Sequence, residues 1–153
     1  MNTTSKGFTL LELIIVVAIV GILAAGGAAA FRNSGKNVEL SSVVNVLRAD
    51  LKQMQSKAMI GEDGMKWGAH LVNATPSNYY ELFSTPTNYA DDGKVVTATT
   101  TLAQGISFSD PVSGQTKDII FNKITGTTSA TTTTLVSEGL TQTITVTTIG
   151  TIY

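Results

Sequence analysis

Residues 6–31 read KGFTLLELIIVVAIVGILAAGGAAAF, and this stretch decides the organisation of the chain. From Phe8 to Phe31 a single charge, Glu12, interrupts the apolar run. As an α-helix, 24 residues extend about 36 Å, enough to cross the roughly 30 Å hydrocarbon core of a bilayer. The run exceeds the h-region of a cleaved secretory signal, typically about 7–15 residues. A carboxylate in lipid is costly, about 2.5–3.5 kcal/mol for an acidic residue at mid-helix on insertion scales and less toward the edge. Glu12 lies near the edge, and its retention there points to a partner for its charge.

The sequence Gly7-Phe8-Thr9-Leu10-Leu11-Glu12 ahead of an apolar run resembles the N-terminus of type IV prepilins and type II secretion pseudopilins. In that family a dedicated peptidase cuts after the glycine and methylates the new N-terminus. The resemblance implies cleavage between Gly7 and Phe8, N-methylation of Phe8, and Glu12 as the fifth mature residue, paired with a neighbouring subunit's amine during assembly. The electrostatics agree, because a carboxylate and an ammonium desolvated together cost far less than either alone. The implied partners are the prepilin peptidase/methyltransferase, other pilin or pseudopilin subunits, the inner-membrane assembly platform and the lipid bilayer.

The 153 residues suit a membrane helix followed by one small domain. The formal net charge of −1 gives no global pull toward nucleic acid. There are no cysteines, so a disulfide framework, a thiolate metal site and a cysteine nucleophile are all excluded. Many pilins of the family carry a C-terminal disulfide; in this chain the core alone must hold the exported domain. The expected divisions are a leader at 1–7, a transmembrane and polymerisation helix at 8–31, an amphipathic second half of the helix at 32–61 and a β-rich domain at 62–153. Lys6 keeps the leader cytoplasmic by the positive-inside rule, giving a single-pass inner-membrane protein with an exported C-terminal domain, later part of a filament.

Within the apolar helix, Gly21, Ala25 and Ala29 recur every four residues, a spacing that lets membrane helices approach closely. It is equally the ordinary Gly/Ala content of an apolar helix. Gly26-Gly27 is the expected weak point, each glycine costing about 1 kcal/mol against alanine. It stands where the family often has a helix-loosening proline. The next segment, Arg32 to Lys36, has a basic residue at each end for headgroups, and Ser34-Gly35 is a candidate bend. Leu40, Val44, Leu47, Leu51, Met54 and Ala58 then form one apolar stripe, and Gly61 reads as its C-cap.

Beyond Gly61 the period shortens to two. Strands are expected at 66–72, 78–84, 106–109, 117–124, 132–137 and 141–153, with a hairpin loop over 73–78. The apolar end of the chain, from Ile149 to Tyr153, is expected to pair within a sheet. The fold class is therefore α+β: a long N-terminal helix followed by a β-rich globular domain, which is the pilin fold that the resemblance implies. RADLKQMQSKAMIGEDG (residues 48–64), the strand with Trp67, YYELF and GISF further resemble the GspH/FimT branch of minor pseudopilins and pilins.

No catalytic set or cofactor motif is present. His70 has no cysteine or second histidine for a metal site. Asp91, Asp92 and Asp110 supply oxygen ligands in loops without the alternating pattern of a calcium loop, and read as turn acids. Lys94, Lys117 and Lys123 are scattered among Asp91, Asp92 and Asp118 rather than forming a basic stripe, which argues against nucleic acid. The threonines from Thr128 to Thr134 suit either a polar loop or glycan acceptors. The expected function is a non-enzymatic filament subunit, minor rather than major; the rivals are a tip-located module binding a secreted substrate, surface or DNA, and a membrane-anchored enzyme.

Overall fold

The computed structural model describes residues 7–153, with the side chains of 25–34 left aside. The chain divides into two compact units, Met1–Lys36 and Asn37–Tyr153. Helix α1 (Leu10–Ile60) contributes to both, so the helical assignment includes Ser34-Gly35.

In the first unit the described apolar side chains, Leu10 to Leu23, lie on an exposed surface. Among the described residues no helix is long and apolar enough to cross a membrane. The expected 8–31 span includes residues 25–31, whose side chains lie outside the description, and of the expected leader over 1–7 only Gly7 is described.

The second unit has its own core. The six stripe residues Leu40, Val44, Leu47, Leu51, Met54 and Ala58 are each at most 2% exposed. Their 4-3-4-3-4 spacing places them on one side of α1, as the sequence predicts. The helix stops at Gly61, which takes the left-handed conformation (φ 70°). The Ala58 carbonyl, orphaned at this end, accepts from the Gly61 N–H at 3.0 Å and the Ile124 N–H at 2.8 Å. A short 3-10 turn, Glu62–Gly64, leads into the sheets.

Seven strands follow: β1 (Lys66–Val72), β2 (Tyr79–Thr85), β3 (Val95–Thr101), β4 (Ser107–Asp110), β5 (Thr116–Phe121), β6 (Thr131–Ser137) and β7 (Leu140–Val146). They form an antiparallel sheet of order β3-β2-β1-β5 and a three-stranded sheet of order β4-β6-β7. Trp67, Ala69, Leu71, Tyr80, Leu82, Ile119 and Phe121 from the larger sheet join Phe108, Leu135, Ile144 and Val146 from the smaller one in a single core with the helix stripe. Two polar contacts tie α1 to the sheets: the Tyr80 hydroxyl donates to Asp50 Oδ2, and the Gln142 amide donates to Ser41 Oγ, each at 2.6 Å.

Three strand expectations are corrected. β3 was absent from the expected set: as a sheet edge it is exposed on nearly every residue, so no alternation marks it. The last strand stops at Val146 rather than running to 153. Thr147–Gly150 turns the chain back, and Ile152 bridges Val146 while the Tyr153 N–H donates to the Thr145 carbonyl at 3.0 Å. The terminus is paired, but to its own strand. β5 also ends early, at Phe121, because Ile124 adopts φ 69° in a turn that caps α1.

Candidate functional site

The start of α1 is built by two residues of the Gly7–Glu12 motif. Thr9 precedes the helix, and its Oγ1 accepts the Glu12 N–H at 3.3 Å while its carbonyl accepts the Leu13 N–H at 3.2 Å. A threonine three positions before a glutamate is the capping-box pattern, so Thr9 satisfies one of the orphan donors of the first turn. The role of Thr9 was not anticipated, although the Thr-x-x-Glu spacing carries its signal. Glu12 sits in that first turn, where the partial positive charge of the helix N-terminus favours a carboxylate. Among the described residues its carboxylate has no hydrogen-bond or ion-pair partner, so it retains acceptor capacity.

Gly7 is exposed and nothing lies within 4 Å of the position a Cβ would take. Phe8 is 82% exposed. Both residues flanking the Gly7–Phe8 bond are therefore exposed among the described residues. Gly21 likewise has open space around it. Ala25, Gly26, Gly27 and Ala29 belong to the residues whose side chains are not described.

The remaining chemistry-bearing residues serve the second unit. His70 is 8% exposed on the face of the larger sheet away from α1. Its Nδ1 lies 2.5 Å from Asp118 Oδ1 on β5, and its ring stacks on Tyr89 with centroids 3.6 Å apart and planes 3° from parallel. The Tyr89 hydroxyl donates to Glu81, and Lys94 Nζ sits 3.6 Å from the Tyr89 ring centroid. This stack pins the loop between β2 and β3 to the sheet. Burial and the Glu81 hydrogen bond push the Tyr89 hydroxyl above the ordinary tyrosine range. Four different segments supply the cluster, so no local pattern announces it.

The acidic loop residues are engaged locally. Asp91 accepts from Thr87 Oγ1 at 2.6 Å and from the Gly93 N–H at 2.8 Å, bonds that hold its carboxyl below the usual range. Asp110 pairs with Lys117. No group of three metal-ligating side chains occurs among the described residues. Lys94, Lys117 and Lys123 each have a separate partner: the Tyr89 ring, Asp110 and the Gly64 carbonyl.

Residues 2–28 match the family described as the prokaryotic N-terminal methylation motif. The chain is similar to the type IV major pilin protein PilE1 of Neisseria gonorrhoeae, 50% identical over 44 residues, 29% of this chain and 27% of that protein. The same identity and span relate it to the fimbrial protein of Neisseria meningitidis serogroup B, covering 26% of that protein. The matched stretch thus spans about a quarter of the length of these curated relatives. No solved structure matches the chain.

Proposed function

We propose that this chain, whose N-terminus carries the type IV prepilin methylation motif, is a structural subunit of a type IV pilus or type II secretion pseudopilus. The observation that carries the reading is the Gly7–Glu12 arrangement inside the matched segment: an exposed Gly7 and Phe8, followed by a capped helix whose first-turn carboxylate has no partner among the described residues.

In this reading the prepilin peptidase cuts between Gly7 and Phe8 and methylates the Phe8 amine. The apolar segment 8–31 holds the subunit in the inner membrane, with Lys6 on the cytoplasmic side and the β-rich unit exported. During assembly the Glu12 carboxylate meets the Phe8 ammonium of a neighbouring subunit. Burying the two charges together avoids leaving either one uncompensated, a condition that costs about 3–5 kcal/mol when a buried pair is broken. Gly21, with Ala25 and Ala29, forms the small-residue face along which neighbouring helices approach, and Gly26-Gly27 is where the helix yields. The resemblance of residues 48–64 and of YYELF to the GspH/FimT branch supports a minor rather than a major subunit. The work is assembly and not turnover.

Intact mass and N-terminal sequencing of the protein from its native membrane, with and without the peptidase, test the proposal. A chain beginning at N-methylated Phe8 only when the peptidase is present is the expected result. Retention of residues 1–7, or cleavage beyond Phe31, would overturn it.

A further inference from the structure

One edge of the larger sheet is β3, and its backbone polarity can be read from one bond. The Leu102 N–H donates to the Asn78 carbonyl at 2.8 Å, so 78 and 102 form a hydrogen-bonded pair in continuation of the β2–β3 ladder. Antiparallel alternation then turns the N–H and C=O of Thr100 and Ala98 toward β2, and those of Thr99 and Thr101 outward. Charge and proline are two of the devices that blunt edge strands. Here residues 95–109 contain neither, whereas the opposite edge, β5, carries Lys117 and Asp118. Beside this edge an open slot of about 280 Å³ runs between α1 and β3, lined by Val43, Val46, Tyr80, Leu102 and Ala103 among others, with no charged side chain.

We infer that β3 is a self-pairing edge: two copies of the chain join antiparallel about Thr100, with Thr99 of each facing Thr101 of the other. The argument for a second copy is charge. In a twofold antiparallel pair every residue meets one from the same strand, so a charged edge must also supply its own complement. The Val95–Thr101 strand, all valine, threonine and alanine, is neutral throughout, and cross-strand Thr–Thr pairs are favourable. The slot continues the neutral surface over which the added strand lies. Thr97 is an extra residue, with Ala98 opposite Leu82 and Val96 opposite Phe83, and this bulge confines regular pairing to 98–102. Five residues span only about 17 Å, so the contact is weak and operates where copies are concentrated in one membrane. It goes beyond the filament reading and uses none of the Gly7–Glu12 residues.

The full chain in native membranes provides the test, since it has no cysteine of its own. In the pair, Thr100 meets Thr100 with Cα atoms about 4.5 Å apart, within disulfide reach. Thr100→Cys is expected to form disulfide dimers under mild oxidation at least tenfold more than Thr116→Cys on the β5 edge. Adding Thr99→Lys with Thr101→Lys sets like charges opposite each other and should bring dimers to the Thr116→Cys level. Adding Thr99→Lys with Thr101→Asp sets opposite charges there and should restore them, which also shows that charged substitutions leave the fold intact. Equal cross-linking at Thr100 and Thr116, equal behaviour of the two doubly charged variants, or cross-links only to a different protein would each overturn the inference.

Discussion

Thr9 Oγ1 accepts the backbone N–H of Glu12 at 3.3 Å, so the threonine that follows the expected cleavage site also holds the turn that presents Glu12. The carboxylate is left without a partner among the described residues, at the end of the helix where a negative charge is favoured. Glu12→Ala should therefore leave membrane insertion and cleavage after Gly7 unchanged while lowering the subunit's yield in sheared filaments by tenfold or more, the equivalent of about 1.4 kcal/mol or more per subunit. Immunoblots of membrane and filament fractions give the answer. Normal filament yield would remove the proposed role of Glu12.

Asn73 is a buried anchor between the sheets. Its Nδ2 donates to the carbonyls of Phe108 and Pro111, both at 2.7 Å. Asn73→Ala should destabilise the chain by about 1–3 kcal/mol, since two buried carbonyls lose their donor. Urea denaturation in detergent checks this, and a loss below 0.5 kcal/mol would contradict the contacts.

Gly150 sits at φ 83°, and a Cβ there would come within 2.1 Å of the Gln55 side-chain nitrogen and 2.3 Å of the Gly126 carbonyl oxygen. Gln55 Nε2 already donates to that carbonyl at 3.2 Å, so moving the side chain aside would break this bond, and the Gly126 carbonyl is backbone that cannot simply swing away. Gly150→Ala should cost more than about 1 kcal/mol, the scale of glycine substitutions where the backbone suits the new residue. The thermal midpoint of the purified chain is the readout.

Tyr80 and Tyr89 both have hydroxyls raised above their ordinary value of 10, in each case by burial first and then by the bond to a carboxylate, Asp50 or Glu81. The unfolded chain loses these protons near pH 10, whereas the folded chain keeps them. Above that pH the native state binds more protons than the unfolded one, so stability falls as pH rises. The contribution is fully present below pH 10 and is lost above it. Denaturation midpoints should fall between pH 9 and about 11.5, and Tyr80→Phe should flatten that fall. An unchanged slope in Tyr80→Phe would assign the effect elsewhere.

Much of the architecture was legible along the chain because local periodicity reports local burial. The 4-3-4-3-4 stripe from Leu40 to Ala58 is the helix's buried side, and the strand at Lys66–Val72 begins and ends as read. β7 keeps the alternation expected of it, with Ile144 and Val146 inward and Thr141 and Thr143 outward. β3 escaped because an edge strand with both faces open has no burial pattern to imprint on its sequence. The proposed cleavage and assembly residues Gly7, Phe8 and Glu12 were legible for another reason: they form a linear motif inside the matched stretch 2–28, which depends on no tertiary contact.

The sequence by itself determined the order of a long helix before a β-rich unit, the buried side of that helix, and the N-terminal motif, because each depends on residues close together in the chain. Only the tertiary structure decided that the last residues turn back onto β7, and that Ile124 caps α1. It also brought His70, Glu81, Tyr89, Lys94 and Asp118 into one stack. Those outcomes depend on contacts between residues far apart in sequence, where the energy comes from surfaces that exist only after the sheets have formed.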